Sequence, residues 1–211
     1  MNSLEKATIK IRKANERGHA NHGWLDSYHT FSFAGYQDPN HMGFRTLRVM
    51  NDDTVQGGKG FGTHPHNDME IISYVIEGAL EHKDSMGNGS VIKPGNVQCI
   101  AAGTGISHSE FNHSSTDSVH FYQIWIVPEQ RGLTPTYQEV DLSAQASGKL
   151  NLIAAPKGQD APITINQDAK MFFAELAVDE VVSHQTSQDR GVWIQVVEGD
   201  IQIGSHTLSA G

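Results

Sequence analysis

Cysteine is all but missing from this chain: Cys99 is the sole thiol in 211 residues. One cysteine cannot close an internal disulfide, so the fold is expected to stand on packing alone, in keeping with a reducing cytoplasm. Cations are scarce as well, with 15 Lys and Arg against 24 Asp and Glu and a formal charge of −9. A phosphate backbone rewards clustered positive charge. The nearest approach to a cluster is Lys6, Lys10, Arg12, Lys13 and Arg17, and Glu5 and Glu16 dilute it. Direct nucleic-acid binding is therefore not expected. No apolar run nears the roughly 20 residues of a membrane-spanning helix, and the first residues do not read as an apolar signal segment, so no membrane partner is expected. Proline is low at 7, whereas glycine reaches 21 and is spread among short apolar runs. That pattern predicts short strands joined by tight turns.

The dense chemistry lies in Gly58–Asn112. G-G-K-G-F-G-T-H-P-H-N-D-M-E opens it and places His64, His66 and Glu70 close together. A-G-T-G-I-S-H-S-E-F-N closes it with His108 and Glu110. On extended backbone, side chains two apart share a face, so His64 pairs with His66 and His108 with Glu110. A regular strand through Met69 gives Glu70 the parity of the first pair. Two such pairs facing one another inside a barrel make a site of three imidazoles and one carboxylate, with Glu70 close by. These ligands suit a divalent Fe, Mn, Co, Ni, Cu or Zn ion. The lack of thiolates argues against a closed structural zinc site, and the count leaves a position open for water or substrate.

Along the chain, residues 7–12 alternate and predict a first strand. The aromatic stretch that follows, with Trp24, Tyr28, Phe31, Phe33 and Tyr36, shows little periodicity and is expected to pack as a flap. His19, His22, His29 and His41 have no same-face partner and are expected in hydrogen-bonding or surface roles. In M-E-I-I-S-Y-V-I-E-G both faces are apolar: Glu70, Ile72 and Tyr74 share one, and Ile71, Ser73 and Val75 the other. A glycine-rich hairpin follows, on which His82 is expected to bond locally. In V-H-F-Y-Q-I-W-I-V one face lines the cavity, and the sequence leaves open whether it carries Tyr122 and Ile124 or Gln123 and Trp125. From about residue 140 a second strand system repeats the first in outline, but its ligand region offers only His184. The expected division is residues 1–138, a metal-binding barrel, and 139–211, a metal-free one. The chain stops at Gly211 with fewer strands than a closed barrel needs, so the second barrel is expected to be incomplete. Its open edge is a candidate surface for a homodimer.

These motifs resemble the cupin superfamily and, within it, the pirin family, near bacterial pirin-like quercetin 2,3-dioxygenases. The first cupin motif is met by Gly58, His64, His66, Glu70 and Gly78, with one extra residue before the last glycine. The second is met by Gly95, Gly103, His108 two residues late, and Asn112, with Ala101 in the place of proline. G-F-G-x-H-P-H, E-H-x-D-S-x-G-N and G-T-G-I-x-H-S-E-x-N resemble pirins in particular. The resemblance implies an all-β bicupin, two double-stranded β-helix (jelly-roll) barrels of which the second has lost its ligands. It implies metal ligation by His64, His66, His108 and Glu110, with Glu70 outside the coordination sphere.

What the resemblance implies for function is a metal-dependent dioxygenase, Fe(II) favoured, that opens an electron-rich phenolic ring such as a flavonol using O2. Glu110, or Glu70, would accept the substrate proton. Apolar side chains around Ile72, Tyr74 and Ile124 would cover the ring. Two alternatives stand beside it: a redox-sensing regulatory protein that binds other proteins, and another cupin enzyme such as an isomerase.

Overall fold

The computed structural model of the chain describes residues 8–143 and 145–211, and they are built almost wholly from antiparallel sheet. Among the described residues the one helical element is a 3₁₀ turn, Ala14–Glu16, and no helix is long and apolar enough to cross a membrane. In chain order come β1 (Gly18–Asn21), β2 (Leu25–His29), β3 (Leu47–Val55), β4 (Gly60–His66), β5 (Glu70–Glu77) and β6 (Leu80–Asp84). Then follow β7 (Gly89–Ile92), β8 (Asn96–Ala101), β9 (Ile106–Asn112), β10 (Val119–Ile126) and β11 (Thr136–Asp141). The later part of the chain gives β12 (Asn151–Ala155), β13 (Ile163–Thr164), β14 (Met171–Phe173), β15 (Asp200–Ile203) and β16 (His206–Ser209).

Seven strands form one sheet in the order β1-β2-β3-β10-β5-β8-β11, and four form a second in the order β4-β9-β6-β7. The two sheets face each other. Val75 and Phe121 of the larger sheet pack with Leu80 and Ile92 of the smaller at one end. Ile71 and Ile100 meet Ile106 at the other. The outer face of the seven-stranded sheet is covered too: Ile72, Val97, Cys99, Tyr122 and Ile124 pack with Ile153, Ala154, Ile163 and Ile165 of the later chain. A sheet buried on both sides needs apolar residues at successive positions, which accounts for the unbroken I-I-S-Y-V-I of β5. Cys99 lies fully inside this layer, where burial pushes its thiol pKa up and leaves it inert.

Several expectations need correction. Residues 8–12 form no strand, and Ala7 and Lys6 lie outside the described residues. Arg12 is instead tied to the Tyr36 hydroxyl at 3.0 Å and to the Glu16 carbonyl at 2.9 Å. The expected flap is in part a hairpin, β1–β2, that continues the large sheet through β3. Its inward residues are Leu25, Ser27 and His29, so the period of two is real but hidden from hydropathy. Strand β11 runs through the expected division at 138–139 and pairs with β8. Beyond it, strand structure is shorter than predicted. Met171–Phe173 is all that pairs of M-F-F-A-E-L-A-V, and residues 192–198 find no ladder among the described residues.

The turn from β8 to β9 depends on Gly103, whose φ is +45°. A Cβ there would collide with the Leu133 carbonyl oxygen. Gly103→Ala is expected to lower stability by about 2 kcal/mol or more, through strain and displaced backbone together. Urea denaturation of the two proteins measures the difference.

Candidate metal centre

The small sheet aims its chemistry inward through strand register. In β4–β9, His64 lies opposite His108, and in β6–β9, His82 lies opposite Glu110 and Asp84 opposite His108. Opposed residues share a face, so the inner surface carries His64, His66, His82, Asp84, His108 and Glu110 together. A register shift between Phe61 and His64 marks a bulge in β4 just before the first histidine. Such a bulge re-aims the side chains that follow it.

His64, His66 and His108 converge. A ring nitrogen from each lies within 4.8 Å of the other two. Their ring centroids are 4.5 Å (His64–His108), 4.8 Å (His64–His66) and 5.0 Å (His66–His108) apart. His64 Nδ1 lies 2.7 Å from the Gly62 carbonyl, which can only accept, so Nδ1 carries the proton and Nε2 keeps a free lone pair. Both nitrogens of His108 are buried without a partner among the described residues. Burial first, then the neighbouring histidines, pulls the His108 pKa down to about 3 and that of His66 to about 4. His66 and His108, held neutral, together with the convergent ring of His64 make the donor set a borderline divalent ion prefers.

Glu110 reaches this neighbourhood but is engaged elsewhere. Its Oε1 accepts from Gln98 Nε2 at 2.8 Å and Ser73 Oγ at 3.1 Å, and its Oε2 from Gln123 Nε2 at 2.7 Å. The three donors sit side by side on β8, β5 and β10, in direct register. Glu110 groups with His108 and His82 within 4.8 Å rather than with His64 and His66. The Gln123 and Trp125 face of β10 thus lines the interior, and the Trp125 ring packs edge-on against His66 at 5.0 Å.

Glu70 does not join the cluster. After His66 the chain turns, with Asp68 at a left-handed φ of +47°, and passes into the other sheet as β5, so no common strand parity links His66 to Glu70. Glu70 therefore shares the outer face of β5 with Ile72, where its Oε1 accepts from Asn166 Nδ2 at 2.8 Å. Burial raises its pKa, with the Asn166 bonds opposing. A role as proton acceptor at the histidines does not fit that position. Nor do Ile72, Tyr74 and Ile124 cover a ring there, because they pack against the later chain. The opening beside the histidines is instead a hollow of about 320 Å³ lined by Pro65, His66, Asn67, Ser85, Gly105, Ile106 and Ser107.

Sequence reasoning gave His82 only a local bond. It has one, to Asp84 at 3.1 Å, yet it is fully buried beside His108 and Glu110. Its signal was H-x-D at same-face spacing, opposite H-x-E. Ser73, Gln98 and Gln123 went unnoticed too, although each is a polar residue amid an apolar strand. His184, the lone histidine of the second ligand region, is exposed and lies edge-on against Phe172.

Two facing antiparallel sheets with histidines projecting between them define the cupin class of β-barrel. The family profile described as Pirin matches residues 10–126, and the profile described as quercetinase C-terminal cupin domain matches residues 152–211. The chain belongs to the pirin family. It is similar to the quercetin 2,3-dioxygenase of Escherichia coli (strain K12), 55% identical over 195 residues that cover 92% of this chain and 84% of that protein. Among solved structures it is similar to bacterial pirin YhhW of Escherichia coli in complex with nickel(II), with a TM-score of 0.89 and 52% identity over 94% of this chain and 85% of that one. A second structure of YhhW gives a TM-score of 0.90 and 53% identity, with 94% and 84% covered.

Deeper in the barrel, Asp53 is buried and accepts from the Ser27 hydroxyl. Burial pushes its pKa from 3.8 up to about 7, the Ser27 bond opposes, and the charges of Asp52 and Glu110 add to the rise. Below pH about 4 the carboxyl is protonated in folded and unfolded chains alike and opposes nothing. As pH climbs toward 7 the unfolded chain ionises first and stability falls, levelling once the folded carboxyl has also ionised. The total is on the order of 4 kcal/mol. Asp53→Asn is expected to flatten that decline, read by urea unfolding at intervals from pH 4 to 8.

Proposed function

We propose that this pirin is a metal-dependent dioxygenase that opens an electron-rich phenolic ring of the flavonol type with O2. The observation that carries the reading is the convergence of His64, His66 and His108, with both His108 nitrogens buried and unpartnered. Relatives named quercetin 2,3-dioxygenase, and a relative solved with nickel(II), support it. His64, His66 and His108 would hold the ion and Glu110 would complete the set. Fe(II) is favoured for oxygen chemistry, and Ni, Mn, Co, Cu and Zn suit the same donors. When bound, the ion supplies Lewis acidity toward a phenolic hydroxyl and a path for electrons to O2.

The chain's own residues account for the rest. Ser73, Gln98 and Gln123 donate to the Glu110 oxygens and hold in place the carboxylate that would take the hydroxyl proton. Trp125, Ile71, Ile100 and Ile106 keep that end of the barrel apolar and exclude water. Asn67, Ser85 and Ser107 around the hollow offer hydrogen bonds to a hydroxylated substrate. We further read the chain as two cupin units, with β11 belonging to the first.

A second reading, a metal-dependent protein that binds other proteins or a second copy of itself, draws on Val178 and Val181, which are 91% and 87% exposed. Co-purification that depends on the loaded ion and is lost in Val178→Ser/Val181→Ser would favour it.

Elemental analysis of the isolated protein, paired with oxygen uptake on a flavonol panel, tests the first reading. Quercetin should disappear in air with matching O2 uptake, and His108→Ala should lose both the ion and the activity. Consumption at an unchanged rate without oxygen would sink the idea. Gln98→Leu, which removes one donor from Glu110, is expected to weaken metal affinity or activity about 10–100-fold, as read by metal-competition titration and initial rates.

A further inference from the structure

A second convergence lies behind the histidine triplet. One ring nitrogen of His82, one of His108 and a carboxylate oxygen of Glu110 lie within 4.8 Å of one another, and all three residues are buried. Register produces this: with His82 opposite Glu110 and Asp84 opposite His108, the four side chains share one face of β6 and β9.

His82 is not a fully satisfied core histidine. Its Nε2 lies 3.1 Å from Asp84 Oδ2. Asp84 in turn accepts from Asn88 Nδ2 at 2.8 Å and from the backbone N–H groups of Met86 at 2.9 Å and Asn88 at 3.0 Å. A carboxylate so surrounded by donors acts as an acceptor, so Nε2 is the donor to Asp84 and Nδ1 is the nitrogen left for another partner. Nδ1 is buried and has no partner among the described residues. The ring is held in plane by Tyr137, stacked at 4.9 Å and 20°. A histidine that gives one N–H to a carboxylate and leaves the other nitrogen bare has the arrangement found at metal ligands. Gln98 adds an oxygen of similar kind: its amide nitrogen bonds Glu110, and its Oε1 is buried without a donor.

We propose that His82, His108 and Glu110 form an inner position for a divalent transition ion, with His82 as a ligand through Nδ1. Two imidazoles and one carboxylate suit Ni(II), Co(II), Zn(II) or Fe(II). His108 and Glu110 serve both this position and the outer one at His64 and His66, so one ion occupies the two in turn. The inference rests on the metal-binding reading above through its shared His108 and Glu110, and not on the dioxygenase activity.

The test uses Ni(II) and Co(II) alone, added to the full chain and to His64→Ala/His66→Ala, with bound metal read by dialysis and elemental analysis and the Co(II) site by its visible spectrum. The double variant should still take up one ion per chain, with an altered Co(II) spectrum. Adding His82→Gln to it should abolish that uptake. His64→Gln/His66→Gln serves in the same role if circular dichroism shows the alanine pair unfolded. Uptake already lost in the folded double variant, or undiminished in the triple variant, overturns the inner position alone. An unaltered chain that takes up neither ion overturns the outer site as well.

Discussion

The hydrogen-bonded register of β9 between β4 and β6 is the constraint from which the interior follows. It sets His108 against His64 on one side and Asp84 on the other, and Glu110 against His82. A slip of one residue would turn His108 and Glu110 outward and bring Ser107 and Ser109 in. The left-handed turn at Gly103, which fits only a residue without a side chain, is one of the features that hold this register in place.

So many polar groups inside a barrel would oppose folding if they were left alone. Much of the cost is met in pairs. Glu110 has three donors, Asp53 has Ser27, and Asp84 has Asn88. Exceptions are scattered elsewhere too, but His82 Nδ1, both nitrogens of His108 and Gln98 Oε1 lie together in one part of the interior, without partners among the described residues. Unpaired buried polar atoms grouped in this way, most of them acceptors, are better explained by something positive that binds among them than by imperfect packing.

The sequence carried the same-face pairs His64/His66 and His108/Glu110 and the all-β architecture well, because period-two spacing maps directly onto a strand face. His64, His66 and His108 do meet, as the H-x-H and H-x-E spacings suggest. Glu70 did not follow, because its expected place assumed an unbroken strand, whereas the chain turns at Asp68 and passes from β4 of one sheet to β5 of the other. The β1–β2 hairpin was missed because its inward residues include Ser27 and His29, whose polarity conceals the alternation. The amide clamp on Glu110 was missed because it depends on three strands lying in register, and pairings between distant segments leave little local trace. Strand lengths after residue 170 were overestimated, since β-forming residues become strands only where a neighbour pairs with them.

Strand β5 is a partition with work on both sides. Its inward Ser73 bonds Glu110, and three residues away its outward Glu70 is bonded by Asn166 of the later chain. The two parts of the protein are therefore joined through a common wall one side chain thick, not apposed as separate bodies. A disturbance at Asn166 has only that short, rigid length of backbone to cross before it reaches the carboxylate. The later chain, although none of its described residues joins either cluster, is in a position to tune the site it does not touch.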